Sequence, residues 1–334
     1  MNSRDVIVVG ASMGGTEALT TLLSRLPGDL SAGICVVQHT SPSAPGFLAE
    51  VLGRRCALSV RNAQDGEPFR PGRVYVAPPD RHLLLKQGKL HVVRGPRENR
   101  VRPAVDPLFR SAAVAHGSRV IGVVLTGLQN DGSAGLAAVK RCGGLVVVQD
   151  PVDAAFPEMP RHALRALQSV GGADACAALE ALPELLVKFA QEEVSAGPIT
   201  PHDIALEADI AEHVMSDIPK EEALGQPAPF GCPECGGPLW ELGDKAVKRY
   251  RCHVGHAYTA EALLADQSDA TEKALWIALR TLEERANMLQ EMAEDERARG
   301  RAATTAQFEA RAAEAEQHAG SVRRLLLGTV QDAA

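Results

Sequence analysis

Five short runs of apolar, mostly β-branched residues recur through residues 1–191. Apolar and polar positions do not alternate within them, so strands formed from these runs would be buried on both faces. Helical patterns separate the runs, and such an arrangement is typical of a parallel sheet covered by helices. We therefore expect a doubly wound, mainly parallel, Rossmann-like α/β fold here. The five runs are residues 6–9, 34–37, 74–77, 120–125 and 145–148.

The segments between these runs predict helices and one hairpin. Two apolar segments, residues 83–85 and 90–93, flank a turn at Gly88 and predict a β-hairpin inserted in the α/β unit. The predicted helices cover residues 15–26, 44–53, 106–116, 132–142, 160–168 and 176–191.

Composition narrows the functional classes. The chain has 334 residues and a formal net charge of -7, which argues against a non-specific nucleic-acid binder. No signal peptide is recognisable, and no apolar run reaches the roughly 18 residues that a membrane span needs. We expect a cytoplasmic protein of two or three domains, with no nucleic acid as partner and no membrane insertion.

A glycine-rich turn follows the first predicted strand. It contains Gly10, Ser12 and Gly14 in the G-x-S-x-G spacing of a nucleophile elbow. A helix that begins near Gly14 would direct its backbone N–H groups at the same position. A phosphate-binding loop or a helix-capping serine remains the alternative. A dinucleotide site is disfavoured, because Ser12 stands where that fingerprint has glycine.

Two more polar residues follow predicted strands at their carboxyl ends. His39 comes directly after the second run, and Asp131 lies on the loop after the run at 120–125. Carboxyl ends of parallel strands share one edge of a sheet, so Ser12, His39 and Asp131 can converge there. The sequence predicts a serine nucleophile, a histidine base and an orienting aspartate.

The motifs around these residues resemble the catalytic domain of the bacterial chemotaxis protein-glutamate methylesterase (CheB) family. Six ordered segments across residues 1–191 carry the resemblance, and together they are highly specific. They are residues 10–15 (GASMGG), 37–40 (VQHT), 74–82 (VYVAPPDRH), 102–112 (RPAVDPLFRSA), 125–132 (LTGLQNDG) and 159–161 (MPR).

The resemblance implies hydrolysis of γ-glutamyl methyl esters on chemoreceptor helices, deamidation of some receptor glutamines, and no cofactor for catalysis. Methylated chemoreceptors would be the partners, with other chemosensory proteins as further ones. Oxyanion or substrate binding is expected near Met13 and Leu128, through backbone N–H groups, and Arg102 would steer an acidic receptor surface or form a structural ion pair. Family members often have methionine at position 128 and a smaller or polar residue at position 13.

The usual family member carries an N-terminal phospho-receiver domain. Only four residues precede the first strand here, so we expect no receiver upstream and an activity independent of phosphorylation of this chain.

Residues 192–229 are expected to form an acidic linker. Nine acidic side chains stand against one lysine over residues 192–230, together with five prolines. Such a composition predicts a solvated segment, with a short helix around residues 204–214.

Residues 230–260 predict a zinc-ribbon-like unit. A Cys-x2-Cys pair, Cys232 and Cys235, is separated by 16 residues from a Cys-x3-His pair, Cys252 and His256. This spacing matches a structural Cys3His zinc site, against the alternatives of reduced cysteines or a redox pair. His256 is preferred to His253, because a histidine adjacent to Cys252 would struggle to reach the same ion. Such a unit should fold only with its metal, so a chelator should unfold it while the esterase core stays folded.

Residues 261–330 predict an antiparallel helical hairpin broken at Gly300. One apolar stripe recurs at helical spacing and must be buried. It either packs the hairpin against itself or docks on a receptor helix. The stripe consists of Leu275, Leu279, Leu282, Ala286 and Leu289.

The sequence leaves two other functions open. The chain could be a regulatory or scaffold protein that recruits partners through the zinc unit and the hairpin, although an intact Ser12, His39 and Asp131 argues against it. A nucleotide-binding dehydrogenase is the other reading, and no acidic residue ends the second strand to support it.

Overall fold

The computed structural model describes residues 3–194, 197–212, 225–242 and 247–329. Seven parallel strands form the central sheet. They are β1 (Val6–Ala11), β2 (Gly33–Gln38), β3 (Ser59–Asn62), β4 (Arg73–Val76), β7 (Val120–Val124), β8 (Leu145–Gln149) and β9 (Ala175–Ala177), in the order β3-β4-β2-β1-β7-β8-β9.

Helices cover both faces of this sheet, as the uninterrupted apolar runs predict. Strand β1 alternates between the two cores, with Val6 and Val8 in one and Ile7 and Val9 in the other. One face carries α1 (Gly15–Ser24), α2 (Leu48–Gly53) and α6 (Leu182–Gln191). The other carries α3 (Val105–His116), α4 (Ser133–Arg141), α5 (Glu158–Leu167) and the hairpin of β5 (His82–Lys86) and β6 (Lys89–Val93).

The predicted doubly wound α/β class is confirmed, and the five predicted strands are the five inner strands of the sheet. The two strands without a sequence signal, β3 and β9, are its edges. Their residues are exposed or half-buried, so they lack the apolar run that marks a strand buried on both faces. The helix predicted from residue 176 begins at Leu182, because β9 takes up residues 175–177.

The strand order creates a crevice at the centre of the sheet. Strand β1 lies between β2 and β7, and successive strands build outward from it in opposite directions. This is a topological switch point, and in open α/β sheets the ligand site lies there, beyond the carboxyl ends of the strands.

Residues 202–212 form a helix close to the short one predicted around residues 204–214, but part of it is buried rather than solvated. They form α7 (His202–Glu212), and Glu207 on this helix is only 3% exposed. Its carboxylate lies 2.9 Å from Arg249 and 3.5 Å from Arg110. Asp203 pairs with Arg141 of α4. Two of the acidic residues that suggested a solvated segment, Asp203 and Glu207, are therefore partners of arginines on neighbouring elements; residues 213–224 lie outside the described ranges.

The cysteine-rich segment forms a second, antiparallel sheet. We refer to its four strands as the ribbon: β10 (Gly225–Gly231), β11 (Pro238–Leu242), β12 (Arg249–Cys252) and β13 (Ala257–Thr259). The ribbon belongs to the same compact unit as the α/β domain, which extends to Leu263. Ala257 pairs with Glu98 in a β-bridge between the two.

Residues from Leu264 onward form a second unit, the predicted helical hairpin. Helix α8 (Ala260–Ala298) ends in a turn where Gly300 has φ of 71°, and α9 (Ala302–Thr329) returns antiparallel to it. Leu279 of the apolar stripe packs with Ala319 and Leu326 of α9, so the stripe is buried within the hairpin itself. No helix in the described ranges combines the length and apolar character of a membrane span.

Gly10 lets α3 start directly against β1. A Cβ atom at this position would lie 2.3 Å from Cγ1 of Val105, the first residue of α3. We predict that Gly10→Ala lowers the free energy of unfolding by about 1–3 kcal/mol through overpacking. Urea denaturation measures this. Gly28→Ala is the matched control, since its Cβ would meet Ala57 at 3.5 Å, an ordinary contact. Equal stability of the two variants would contradict the prediction.

Candidate active site

Ser12 lies in the turn between β1 and α1, with its backbone held from two sides. Its N–H donates to the carbonyl of Thr126 over 3.0 Å, and Gln38 Nε2 donates to its carbonyl over 2.6 Å. The left-handed conformation that the turn requires falls on Gly14, with φ of 74°. Ser12 thus keeps an ordinary backbone conformation while its hydroxyl faces the crevice.

His39 joins the other two predicted residues. Its Nδ1 lies 3.1 Å from Ser12 Oγ, and its Nε2 lies 2.7 Å from Asp131 Oδ2. An ionised carboxylate only accepts hydrogen bonds, so Nε2 carries the proton and Nδ1 can accept from the serine hydroxyl. The ring nitrogens have exchanged the roles they have in chymotrypsin-type triads, where Nε2 faces serine.

Asp131 is completely buried and is surrounded by donors. Besides His39, it accepts from the backbone N–H groups of Val105 (2.6 Å) and Asp106 (3.2 Å), which open helix α3. Asn99 Nδ2 donates to its Oδ1 over 3.0 Å. Burial alone would raise the pKa of Asp131, but the hydrogen bond from His39 and these donors hold it below its usual range.

Asn99 joins two buried carboxylates. The same Nδ2 that donates to Asp131 lies 2.9 Å from Oδ2 of Asp106. Burial, together with the charge of Asp131, raises the pKa of Asp106 to about 7. Asn99 itself has φ of 51°, a left-handed conformation that asparagine tolerates better than most residues. Sequence reasoning missed both residues; the motif at 102–112 gave a signal for Asp106, but none identified a role for Asn99.

Met13 and Leu128 flank the serine. Both side chains are partly exposed, and within the described ranges neither backbone N–H has a hydrogen-bond acceptor. Gly127 lets the Leu128 loop approach, because a Cβ there would lie 2.7 Å from Cβ of Ser12. The turn that carries Ser12 and the loop that approaches it thus each hold a backbone N–H without an acceptor in the described ranges.

Arg102 is held in an ion pair. Its Nη2 and Nε lie 2.6 and 2.9 Å from Oδ1 of Asp80, and its Nη1 donates to the carbonyl of Gly95. The hydrogen bond from Arg102 lowers the pKa of Asp80. This is the structural ion pair that the sequence analysis left open as one of two roles for Arg102.

A cleft of about 290 Å³ opens beside His39. Phe47, 63% exposed, and Val51 form an apolar wall, and the polar side chain of Asn62 lies at its edge. His39 is part of the lining of this cleft, and Ser12 is not.

The four predicted metal ligands come together in the ribbon. Their donor atoms, from Cys232, Cys235, Cys252 and His256, all lie within 4.8 Å of one another. The Cys235–Cys252 Sγ distance is 3.6 Å, and His256 Nδ1 lies 3.7 and 3.5 Å from the sulfurs of Cys232 and Cys252. A tetrahedral zinc ion with Zn–S near 2.3 Å would separate its ligands by about 3.5–3.8 Å. The donor set therefore fits zinc.

A carboxylate supports the histidine of this cluster. Glu234, between the first two cysteines, places Oε2 3.1 Å from His256 Nε2. Histidine ligands of metals commonly donate their second N–H to a carboxylate, which fixes the tautomer. His253, the rejected alternative, does not belong to the cluster.

The α/β domain matches a known protein family and a solved structure. Residues 7–186 match the family described as CheB methylesterase. The chain belongs to this family. The crystal structure of the Thermotoga maritima CheB methylesterase catalytic domain is similar, with a TM-score of 0.51 and 36% identity, over 55% of this chain and 97% of that one.

Two curated relatives differ in how much of their own length the match covers. A protein-glutamate methylesterase/protein-glutamine glutaminase 5 of Anaeromyxobacter dehalogenans is 44% identical over 188 residues, 55% of this chain and 51% of the relative. A Leptospira interrogans protein named "Putative protein-glutamate methylesterase/protein-glutamine glutaminase" is 37% identical over 191 residues, 57% of this chain and 97% of the relative. The match thus spans about half of the first relative and nearly all of the second.

A buried ion cluster joins the ribbon to the loop that carries Asn99. Glu98 accepts from Arg110 Nη2 at 2.7 and 2.8 Å and from Arg251 of β12 at 2.9 Å. Burial alone would raise the pKa of Glu98, but the two guanidinium groups outweigh it and hold the pKa well below its usual range. Because the pKa of Glu98 is lower in the folded protein than in the unfolded chain, the stability of the fold depends on whether Glu98 is ionised.

We predict that Glu98→Gln destabilises the protein by about 3 kcal/mol at pH 7, because it leaves buried guanidinium charge without a partner. The folded-state pKa of Glu98 is depressed, so its contribution is present above the unfolded-state value near 4.3 and is lost as pH falls below it. The stability difference between wild type and variant should therefore shrink below about pH 4. Urea denaturation from pH 7 to pH 3 tests this, with exposed Glu184→Gln as control. A constant difference would contradict it.

Proposed function

We propose that this chain is a protein-glutamate methylesterase with Ser12 as nucleophile, His39 as base and Asp131 as the group that orients the imidazole. The observation that carries the proposal is the continuous Ser12 Oγ–His39–Asp131 hydrogen-bond chain. It lies at the switch point of a domain that belongs to the CheB methylesterase family. Relatives at 37–44% identity bear the name protein-glutamate methylesterase.

The chemistry follows from the three side chains. His39 Nδ1 takes the proton of Ser12 as Oγ attacks the ester carbonyl, and Asp131 stabilises the resulting imidazolium. The tetrahedral intermediate collapses, methanol leaves with the proton from His39, and an acyl-serine remains. Water activated by His39 then releases the glutamate carboxylate and free Ser12. A glutamine amide would follow the same path with ammonia as leaving group.

Backbone donors supply the oxyanion site in this mechanism. We assign the N–H groups of Met13 and Leu128 as donors to the developing oxyanion; one such donor is typically worth about 10²–10³ in rate. Methylated chemoreceptor helices are the proposed substrates. Arg102 has a structural role in this proposal, through its ion pair with Asp80. No catalytic step requires a cofactor.

The first test removes the reacting groups. Ser12→Ala and His39→Ala should each lower kcat by at least about 10³-fold, and Asp131→Asn somewhat less, because the three side chains act as a unit. Methanol release from a methylated receptor measures the loss. Exposed Ser41→Ala, on the loop just beyond His39, is the control and should match wild type. Wild-type turnover by Ser12→Ala would refute the assignment.

We also propose that the Cys3His cluster holds a structural zinc ion. Four protein donors leave no open coordination position, as in structural rather than catalytic sites. When bound, the ion would cross-link the β10–β11 and β12–β13 turns of the ribbon. The four ligands are Cys232, Cys235, Cys252 and His256, supported by Glu234.

The metal content tests this second proposal. We expect about one zinc per chain by elemental analysis of protein purified without chelators, and clear loss of zinc in Cys232→Ser. Exposed Cys176→Ser, which changes a thiol outside the cluster, should retain it. Zinc-free wild-type protein, or equal zinc in the two variants, would count against the site.

A further inference from the structure

Strand β13 of the ribbon is linked to the proposed catalytic aspartate, Asp131, by two hydrogen bonds through Asn99. The backbone N–H of Thr259 donates to Asn99 Oδ1 over 3.0 Å, and Asn99 Nδ2 donates to Asp131 Oδ1 over 3.0 Å. A single amide side chain thus links the ribbon to the carboxylate. Since its oxygen is occupied by Thr259, its nitrogen faces Asp131.

A second link reaches the same loop through Asn130. Its Nδ2 lies 2.7 Å from Thr259 Oγ1 and 3.0 Å from Glu261 Oε2. Asn130 precedes Asp131 in the chain and is buried. Thr259 therefore contacts both the side-chain partner and the backbone neighbour of the aspartate.

The position of Thr259 is itself well defined. It is completely buried, and its Oγ1 caps α8 by accepting from the N–H of Ala262 over 3.2 Å. Next to it, Asn99 N–H donates to the carbonyl of Ala257 over 2.8 Å. Strand β13 is thus fixed against the Asn99 loop by backbone as well as side-chain bonds.

The ribbon and the start of α8 supply hydrogen-bond partners for the polar groups here. Asn99 Oδ1 and the amide of Asn130 are buried, and their bonds described above run to the ribbon and to the start of α8. Because both amides are buried in the full chain, losing one of these partners within the intact fold would leave a buried polar group unpaired. The matched family domain ends before the ribbon, so this arrangement is a feature of the extension.

We propose that Thr259 is a positioning residue for Asp131, through Asn99 and Asn130, so that the ribbon completes the esterase site. The inference rests on the proposed function. It also replaces the expectation of an esterase core independent of the ribbon.

The test compares isosteric variants with a γ-methyl ester of N-acetylglutamate as substrate. Thr259→Val replaces Oγ1 with a methyl group and so removes its hydrogen bonds to Asn130 and to the N–H of Ala262; the loss of the Asn130 link should lower kcat about fivefold with KM unchanged. Thr259→Ser retains the hydroxyl and should restore kcat to within about twofold. Thr271→Val, the same change at an exposed position of α8, is the control.

Asn99→Gly examines the link from the other side. Glycine accepts the φ of 51°, so the variant removes the amide without backbone strain. Losing a hydrogen bond to a charged carboxylate should lower kcat about 10- to 100-fold. The proton between His39 Nε2 and Asp131, followed by NMR, should shift in Asn99→Gly and Thr259→Val but not in Thr259→Ser.

A double-mutant cycle separates positioning from helix capping. In an Asn130→Ala background, Thr259→Val should have little further effect on kcat if Oγ1 acts through Asn130, while the loss of the cap should still lower the melting temperature. A fivefold loss of kcat that persists in this background would overturn the side-chain route.

Unchanged kcat and an unchanged His39 resonance in both Thr259→Val and Asn99→Gly would overturn the proposal. Failure of the proposed function has a different signature, namely wild-type protein that hydrolyses no ester. The NMR comparison then still decides whether Thr259 positions Asp131, because it requires no turnover.

Discussion

The buried carboxylate of Asp131 is the group on which the rest of the site depends. A completely buried charge is tolerated only where donors replace the water it has lost. Here the donors come from distant parts of the chain: His39 after β2, Asn99 before α3, and the first backbone N–H groups of α3. Satisfying one carboxylate therefore fixes three segments relative to one another. The orientation of His39, and with it the reach of its Nδ1 to Ser12, follows from that arrangement.

The sequence was sufficient for the parts of this site that follow from strand position. Ser12, His39 and Asp131 each follow a strand with an unbroken apolar run, so one sheet edge could be inferred for all three. Asn99 could not be found in this way, because it lies in an irregular segment and owes its role to a left-handed backbone and a partner 160 residues away. The edge strands β3 and β9 were missed for the opposite reason, since exposure leaves them no apolar pattern.

The predicted linker shows how composition misleads when charges are paired. The excess of acidic residues after residue 191 suggested solvation, yet Glu207 of α7 lies between Arg110 of the α/β domain and Arg249 of the ribbon. Buried acidic residues look the same in a sequence as solvated ones, because their arginine partners are remote. The same holds for Glu98, whose two arginines come from α3 and β12. Charge counts describe a segment, whereas burial depends on partners elsewhere.

These buried pairs also explain how an extension outside the matched family domain can become part of its site. An apolar interface tolerates sliding, but buried guanidinium and carboxylate groups must meet with good geometry or incur a large desolvation cost. Arg251 and Arg249 therefore fix where β12 lies on the α/β domain. Strand β13 pairs with β12, so its register is fixed in turn. The ion pairs thus set the position of the ribbon. Thr259, at the end of β13, then fixes Asn99 through its backbone hydrogen bond, and Asn99 contacts Asp131 at the carboxyl edge of the sheet.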